Sequence, residues 1–292
     1  MIIVKLMGGM GNQLFQYATG RAVSFSNKRE LKMDVDGYEN MHISDTPRQY
    51  ALNIFNIQEN FADKNEIEKL QGNIDGAVAK ILQKIGLTKK HSSFIIEQHF
   101  NFYSELLNVG DNSYLQGYWQ TEKYFKGTED VIRKEFTIKD EFSIEEKKIT
   151  KEIKNSNAIS LHIRRGDYVA SATANKFHGT SSLEYYALAV KHISEKIENP
   201  FFYIFSDDID WVKENLKINF PIKYVSGDTL KDYEELMLMS YCKHNIIANS
   251  SFSWWGAWLN NNPEKIVIAP KQWFADKSVN TSDIIPETWI KL

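Results

Sequence analysis

The chain has 292 residues, of which 42% are hydrophobic and 25% are charged, as in a globular protein of one large or two modest domains. Its net charge of −3 argues against a general nucleic-acid binder, and its single cysteine, Cys242, excludes an internal disulfide framework and fits a reducing compartment. No apolar run approaches the ~20 residues that span a bilayer, and the N-terminus lacks the pattern of a signal peptide. We therefore expect a cytoplasmic protein.

The first half of the chain opens with an apolar strand, a glycine-rich turn and a helix, and then becomes less regular. Apolar residues at helical spacing follow the turn from Leu14 to Phe25. Further elements are predicted as strands over 2–6, 31–35 and 113–118, and as helices within 64–90 and over 122–136. A polar stretch over 139–157, with a helix of its own, separates the two halves.

The second half alternates short apolar runs with helical patterns. The predicted strands are 158–163, 201–205, 223–225, 245–248 and 265–269, and the predicted helices are 183–197, 210–216, 230–241 and 253–259. This alternation predicts a parallel sheet with helices on both faces, which binds ligands beyond the carboxyl ends of its strands. We predict an α/β protein of two domains, residues 1–150 and 151–292, that face each other across a cleft.

Two adjacent arginines follow the first strand of the second half. In S-L-H-I-R-R-G-D-Y, alternation with period 2 brings Arg164 and Arg165 to the carboxyl end of the strand. A planar guanidinium group binds phosphate through two parallel hydrogen bonds, so the pair suggests an anion site. A plain salt bridge is the alternative interpretation, and Asp167 is a candidate to hold one guanidinium in place.

Polar side chains also follow two other strands. Asp207 and Asp208 precede a helix, so one of them is expected to cap it. The other could bind either a ribose or an arginine, and the sequence does not decide between them. After a later strand, hydroxyl and amide groups crowd a helix N-terminus, where free N–H groups favour an anion. These residues are Asn249, Ser250, Ser251 and Ser253. The neighbouring Trp254, Trp255 and Trp258 are expected to pack the helix onto the sheet.

Two patterns in the first half are weaker signals. The turn Gly8–Gly11 resembles a dinucleotide fingerprint, but Leu14 stands where that pattern needs a third glycine, so only a tight turn offering Asn12 and Gln13 remains. Asp34 and Asp36 have the Asp-x-Asp spacing of a metal motif found in sugar transferases, without a further acid or histidine cluster beside them. We therefore predict no metal site.

The arginines and the serines both end strands of one predicted sheet, and both favour phosphate. Together they predict a diphosphate clamp without a metal. A nucleotide sugar fits such a clamp, because its diphosphate gains negative charge as the sugar departs.

Four segments, taken together, resemble glycosyltransferase family eleven, the α-1,2-fucosyltransferases that use GDP-fucose. They are G-G-M-G-N-Q-L-F-Q-Y-A at 8–18, H-I-R-R-G-D-Y-V at 162–169, F-S-D-D at 205–208 and N-S-S-F-S-W-W-G-A-W-L at 249–259. The resemblance implies a GT-B fold of two Rossmann-like domains, with the donor on the C-terminal domain. It also implies inverting, metal-independent transfer of L-fucose to the 2-hydroxyl of a galactoside, with no cofactor.

The resemblance further implies roles for individual residues. Arg164 and Arg165 should contact the donor diphosphate, with Arg164 the less replaceable, and His162 and Asp167 should shape the nucleotide site. Glu235 stands where related fucosyltransferases place an acid that reads the guanine edge, and Asp232 and Glu234 are rivals for that role. The remaining candidates for donor binding are Asp207, Asp208, Asn249, Ser250, Ser251 and Ser253.

The acceptor is expected to meet the N-terminal domain, where the segment 38–110 would set its identity. The candidates for acceptor binding are Gly9, Gly11, Asn12, Gln13 and Asp36. The general base is left open between Asp36 and Asp167. Trp119, Tyr185 and Tyr186 are further candidates for the cleft, with core packing as the alternative. If the acceptor glycan is lipid-linked, the enzyme would work at the inner face of the membrane without a transmembrane segment.

Three other functions compete with this interpretation. A dinucleotide-dependent oxidoreductase would use the Gly8 turn but would leave the arginine pair without a role. A non-catalytic carbohydrate-binding protein would not need a diphosphate clamp. A fucosyltransferase of different linkage, or a transferase of another GDP-sugar, is the serious alternative.

Overall fold

The structure is a computed structural model that describes residues 1–38, 48–72, 93–166, 169, 172–227 and 229–292. These residues form two compact units, Met1–Lys139 and Asp140–Leu292. Each unit is built on one sheet whose strands all run parallel. The predicted α/β class is therefore confirmed.

The first unit contains a four-stranded sheet in the order β2-β1-β4-β3. Its strands are β1 Ile2–Lys5, β2 Leu31–Asp34, β3 Phe94–Ile96 and β4 Ser113–Gln116. Its α-helices are Met10–Ser26, Lys64–Gln71 and Glu129–Glu135, and short 3-10 turns occupy Asp36–Tyr38, Ser104–Asn108 and Glu122–Tyr124. Strand β3 was not predicted, because three residues on a sheet edge carry little periodic signal. Residues 73–90 of the predicted helical stretch lie outside the described residues.

The predicted helix over 122–136 is wrong as a single element. The chain forms a 3-10 turn at Glu122–Tyr124, passes through Gly127 with φ of +88°, and begins a new helix at Glu129. A positive φ is not helical, and glycine adopts it without the steric cost that a β-carbon would add. Gly127 therefore divides the segment into two pieces.

The second unit contains a six-stranded sheet in the order β10-β9-β8-β5-β6-β7. Its strands are β5 Asn157–Ile163, β6 Pro200–Ser206, β7 Ile222–Tyr224, β8 His244–Ile246, β9 Val267–Ala269 and β10 Ile290–Lys291. Its α-helices are Ile144–Lys154, Ala172–His178, Leu183–Ser194, Ile209–Asn215, Asp232–Tyr241 and Ser251–Leu259. All five predicted strands are present, and the described residues of this unit add the two-residue strand β10, which was not predicted.

The predicted domain boundary after residue 150 falls inside the helix Ile144–Lys154. The structure assigns this whole helix to the second unit, where Ile149 and Ile153 are buried. The N–H of Ser143, which caps the helix, donates to Glu234 Oε1 at 2.7 Å. The two units therefore divide between residues 139 and 140.

The tryptophans of the helix Ser251–Leu259 belong to the core, as predicted. Trp254, Trp255 and Trp258 are all buried, and Trp254 Nε1 donates to the carbonyl of Ile284 at 2.8 Å. A β-carbon on Gly256 would lie 2.9 Å from the β-carbon of Met239, so the glycine permits close contact with the helix Asp232–Tyr241. This packing fixes the N-terminus of the tryptophan helix at the edge of the sheet.

The strand order explains how separate polar segments meet. Strands β8, β5 and β6 are neighbours and run in the same direction, so their carboxyl ends lie side by side. The arginine pair follows β5, the aspartate pair follows β6, and the turn with Asn249 follows β8. In the described part of the chain, no helix has both the length and the apolar character needed to cross a membrane.

Candidate active site

Asp207 holds the arginine pair from the neighbouring strand. Its Oδ2 lies 3.1 Å from Arg164 Nη1, and its Oδ1 accepts the backbone N–H of Arg165 at 2.8 Å. A β-carbon on Gly166 would collide with the Asp207 carboxylate, so only glycine allows this approach. The carboxylate therefore fixes both the backbone and one guanidinium at the end of β5.

Asp208 and an unpredicted aromatic residue hold the second guanidinium. Arg165 Nε lies 3.3 Å from Asp208 Oδ2, and the guanidinium carbon lies 3.5 Å from the ring centroid of Trp211. Asp208 also caps the helix Ile209–Asn215 by accepting the N–H of Trp211 at 3.4 Å. The prediction that one of the two acids caps this helix is thus confirmed for Asp208, and Asp207 contacts an arginine.

The guanidinium groups remain accessible to a ligand. The side chain of Arg164 is 21% exposed and that of Arg165 is 19% exposed. A guanidinium carries five N–H donors in a planar fork, a geometry that matches phosphate oxygens. Asp167, which was expected to hold an arginine, lies outside the described residues, so its role stays a prediction; Asp207 and Asp208 are the acids that contact the arginines in the described residues.

The serine-rich turn after β8 is largely held by its own hydrogen bonds. Ser250 caps the helix by accepting the N–H of Phe252 at 3.3 Å, and the hydroxyl of Ser253, which is fully buried, donates to the Ser250 carbonyl at 3.4 Å. The Asn249 amide donates to the carbonyls of His178, Gly179 and Trp273. Ser253 therefore supports the turn from beneath, and the half-buried Ser251 stands at the start of the helix.

Glu235 is joined to the end of β6 through a serine that the sequence did not single out. The hydroxyl of Ser226 donates to Glu235 Oε2 at 2.8 Å and accepts the backbone N–H of Ser206 at 2.9 Å. Burial raises the pKa of Glu235 to about 7; the charges of Asp232 and Asp207 add to this shift, and the hydrogen bond from Ser226 opposes it.

The two rivals of Glu235 have other positions. Glu234 is buried and accepts the N–H groups of Ser143 and Lys231 at 2.7 and 3.0 Å, so its oxygens hold the helix start. Asp232 is exposed at the first residue of the helix. Glu235 is thus the acid of this segment that is linked through Ser226 to the end of β6 and lies in the electrostatic field of Asp207.

His162 and the two predicted tyrosines lie in the core beneath the arginines. Burial, and secondarily the charge of Arg164, lowers the pKa of His162 to about 3, so the ring is neutral at physiological pH. Its ring packs 5.9 Å from that of Phe252. Tyr185 donates to the carbonyls of Ile247 and Ile268, whereas the buried Tyr186 hydroxyl lies in the electrostatic field of Asp207 and Arg165.

In the first unit, the predicted turn is stabilised by Gln13. Its side chain is fully buried; it donates to the carbonyls of Gly8 and Gln49 and accepts the N–H of Ala51. Gly8 adopts a φ of +77°, which a residue with a β-carbon rarely adopts. Gln13 and the buried Gly11 therefore shape the turn, while Gly9 and Asn12 are half-buried on it.

Asp36 is exposed at the start of a 3-10 turn, and its N–H donates to Asp34 Oδ1 at 3.0 Å. Asp34 is itself buried and accepts the hydroxyl of Tyr114. Within the described ranges, no group of three His, Cys, Asp or Glu residues is placed to hold a metal ion. The exposed Asp36 therefore stays a candidate for the general base. Trp119 is buried, as expected if it packs in the core.

Comparison with known proteins identifies the family. A model described as "Glycosyl transferase family 11" matches residues 1–292. An alpha-1,2-colitosyltransferase of Escherichia coli is 36% identical over 298 residues, which cover 100% of this chain and 98% of that protein. The O-antigen biosynthesis glycosyltransferase WbnK of Escherichia coli is 34% identical, over 98% of this chain and 99% of that protein.

A more distant relative is the galactoside alpha-(1,2)-fucosyltransferase 1 of Leontocebus fuscicollis. It is 23% identical over 50% of this chain and 42% of its own length. The predicted α/β fold of the GT-B type agrees with the two parallel-sheet units, and the oxidoreductase alternative is set aside. The chain belongs to glycosyltransferase family 11.

Proposed function

We propose that the protein transfers L-fucose from GDP-β-L-fucose to the 2-hydroxyl of a terminal galactoside, with inversion and without a metal. The observation that carries this proposal is the arginine pair at the end of β5, fixed by Asp207, Asp208 and Trp211. Residues that hold two guanidinium groups in fixed positions favour a ligand with two adjacent phosphates.

The donor nucleotide accounts for the polar groups around this pair. The bond between the sugar C1 and the phosphate oxygen breaks, and the guanidinium groups of Arg164 and Arg165 stabilise the charge that develops on the diphosphate. The start of the helix Ser251–Leu259 supplies N–H groups for the same anion. Glu235, once ionised, would accept the N1–H and the 2-amino group of guanine.

The acceptor hydroxyl forms the new bond to C1 on the opposite face of the sugar, and its proton passes to a base. Asp36 and Asp167 stay the two proposed bases. Asp36 is supported by its exposure at the edge of the first sheet, beside the turn expected to meet the acceptor.

A second donor is favoured by one specific observation. The relative that is 36% identical across the full chain is named a colitosyltransferase. Colitose is L-fucose without its 3-hydroxyl, so the same diphosphate clamp and the same linkage would serve a GDP-colitose donor. The choice between these sugars then depends on a single hydroxyl contact.

One experiment tests the identity of the donor sugar, the linkage of the product and the need for a metal. The purified protein is incubated with lactose and either GDP-fucose or GDP-colitose, with and without EDTA, and the product is analysed by NMR. We expect an α-1,2-fucosylated galactose in equal yield with and without EDTA. If only GDP-colitose is turned over, the donor sugar is colitose and not fucose. A product with a different linkage would overturn the proposed transfer to the 2-hydroxyl.

The same relatives support a biological setting for the proposed reaction. A named role in O-antigen biosynthesis supports a bacterial surface glycan as the acceptor. We place the reaction in the cytoplasm, and a lipid-linked galactoside at the inner membrane face is one acceptor within this proposal.

A further inference from the structure

Three neighbouring strands of the first unit end at one edge of its sheet. Strand β1 leads into the Gly8 turn, β4 leads into residues 117–120, and β3 leads into Glu97. The Gln120 amide donates to Asn12 Oδ1 at 2.8 Å, and the Gln16 amide donates to the Gly117 carbonyl at 3.1 Å. The turn after β4 is therefore tied to the turn after β1.

Glu97 fixes the conformation of the turn after β4. Its carboxylate accepts the backbone N–H of Tyr118 at 2.6 Å and that of Trp119 at 3.0 Å. Trp119 has a φ of +55°, a conformation that costs free energy for a residue with a β-carbon and needs support from its surroundings. A β-carbon on Gly117 would collide with Glu97, so the acid lies directly against the turn.

The turn presents an aromatic ring. Tyr118 is 36% exposed, and its ring lies nearly parallel to that of Phe100, at an angle of 10° and a centroid distance of 6.3 Å. Trp119, the next residue, is buried and packs edge-on against Tyr124. The buried tryptophan anchors the turn, while the tyrosine next to it stays accessible.

An unsatisfied polar atom lies in the same turn. Gln120 is only 7% exposed, and its Oε1 has no hydrogen-bond partner in the part of the chain that the structure describes. Buried amide oxygens are almost always hydrogen-bonded, so this atom points to a missing donor. Sugar hydroxyls are such donors, and the apolar face of a galactoside packs well on an aromatic ring.

We propose that Tyr118 is the stacking platform for the acceptor galactoside, that Gln120 Oε1 accepts one of its hydroxyls, and that Glu97 is the positioning residue that holds this turn. This inference rests on the proposed function. It adds three residues to the turn at Gly8–Gln13, which the sequence alone assigned to acceptor binding.

The test separates acceptor binding from donor binding. In assays with GDP-fucose and lactose, Tyr118→Ala is expected to raise the KM for lactose by about tenfold, the size of one lost aromatic contact, and to leave the KM for GDP-fucose unchanged. Tyr118→Phe keeps the aromatic ring and should have the wild-type KM for lactose. Glu97→Gln keeps the shape but loses one acceptor oxygen, so it should raise the lactose KM severalfold with the donor KM unchanged.

Phe25→Ala is the matched control. Phe25 is an exposed aromatic residue at the far end of the helix Met10–Ser26, about 20 Å from Asn12 by the helical rise, so this variant should behave like wild type. An unchanged lactose KM in Tyr118→Ala, with the wild type active, would overturn the inference and leave the proposed function standing.

Saturation-transfer NMR with lactose alone tests the inference without any donor. Contact signals that are present in the wild type and disappear in Tyr118→Ala support the stacking platform. They do so even if GDP-fucose is not turned over, because a lack of turnover would count only against the proposed donor. Equal signals in both proteins, or none in the wild type, would refute the platform.

Discussion

At the scale of single residues, the arginine pair is the feature with the strongest expected effect. Arg164→Ala removes the guanidinium that Asp207 holds and should lower kcat/KM by a factor of about 10² to 10⁴, because it deletes up to two charge-assisted hydrogen bonds of ~1.5–3 kcal/mol each. The thermal midpoint should stay within a few degrees of wild type, as expected for a partly exposed ion pair. Steady-state kinetics and calorimetry measure both quantities.

Arg29→Ala is the control for this prediction. Arg29 forms an exposed ion pair with Asp111, at 2.5 Å, in the first unit, so its loss tests the effect of removing a surface charge alone. We expect unchanged activity in that variant. Comparable activity in Arg164→Ala and Arg29→Ala would contradict the diphosphate clamp.

If Glu235 binds the donor as proposed, donor binding should depend on pH. Its pKa in the free protein is raised to about 7, mainly by burial, so below that pH the carboxyl must release a proton before it can accept two guanine N–H groups. The Kd for GDP-fucose should therefore rise as pH falls below about 7, by up to about tenfold per pH unit. His162, with a pKa of about 3, does not titrate in this window.

Isothermal titration calorimetry between pH 5.5 and 8 measures this dependence. GDP-fucose is the appropriate ligand, since its diphosphate is esterified at both ends and does not titrate in this range. Glu235→Gln should bind more weakly and without the pH dependence. The same slope in both proteins would assign the titration to another group.

At the scale of elements, the turn after β5 depends on Gly166. Gly166→Ala places a methyl group against the Asp207 carboxylate and forces apart the two segments that carry the arginine and aspartate pairs. We expect kcat/KM to fall by about tenfold or more, since a displacement of about 1 Å in an active site can cost as much as about 10²-fold. Gly110→Ala, where no atom lies within 4 Å of the added carbon, should be nearly neutral. Equal activities would show that the turn absorbs the methyl group.

Elements with a strong periodic signal were predictable, and contacts between elements were not. The alternation in 158–163 predicted β5, and the position of the arginines at its end followed from it. Trp211 and Ser226 were missed because their roles arise only when strands pair. Trp211 meets Arg165 because β5 and β6 are neighbours, and Ser226 reaches the end of β6 because β6 and β7 are neighbours. Gly127 was visible in the sequence, but a single glycine within a helical pattern does not reveal a positive φ.

At the scale of the whole molecule, the sequence predicted two α/β units but misplaced their boundary. The helix Ile144–Lys154 is rich in Lys and Glu and was predicted as part of a polar stretch between the two halves, yet it buries Ile149 and Ile153 against the second unit. The helix packs on the second unit because its partner surface is formed there, by residues about 90 positions away in sequence such as Glu234. A composition shift alone cannot show which unit a helix packs on.

The corrected boundary predicts which fragment folds. The six strands of the second sheet and their core all come from 140–292, so this fragment should unfold cooperatively and bind GDP-fucose. A fragment of 151–292 lacks the Ser143 contact to Glu234 and the buried Ile149, and its free energy of unfolding should be lower by ~2 kcal/mol or more. Circular dichroism with urea and calorimetry compare the two. Equal stability of both fragments would place the helix outside the second unit's cooperative core, and an unfolded longer fragment would show that the donor-binding unit depends on residues 1–139.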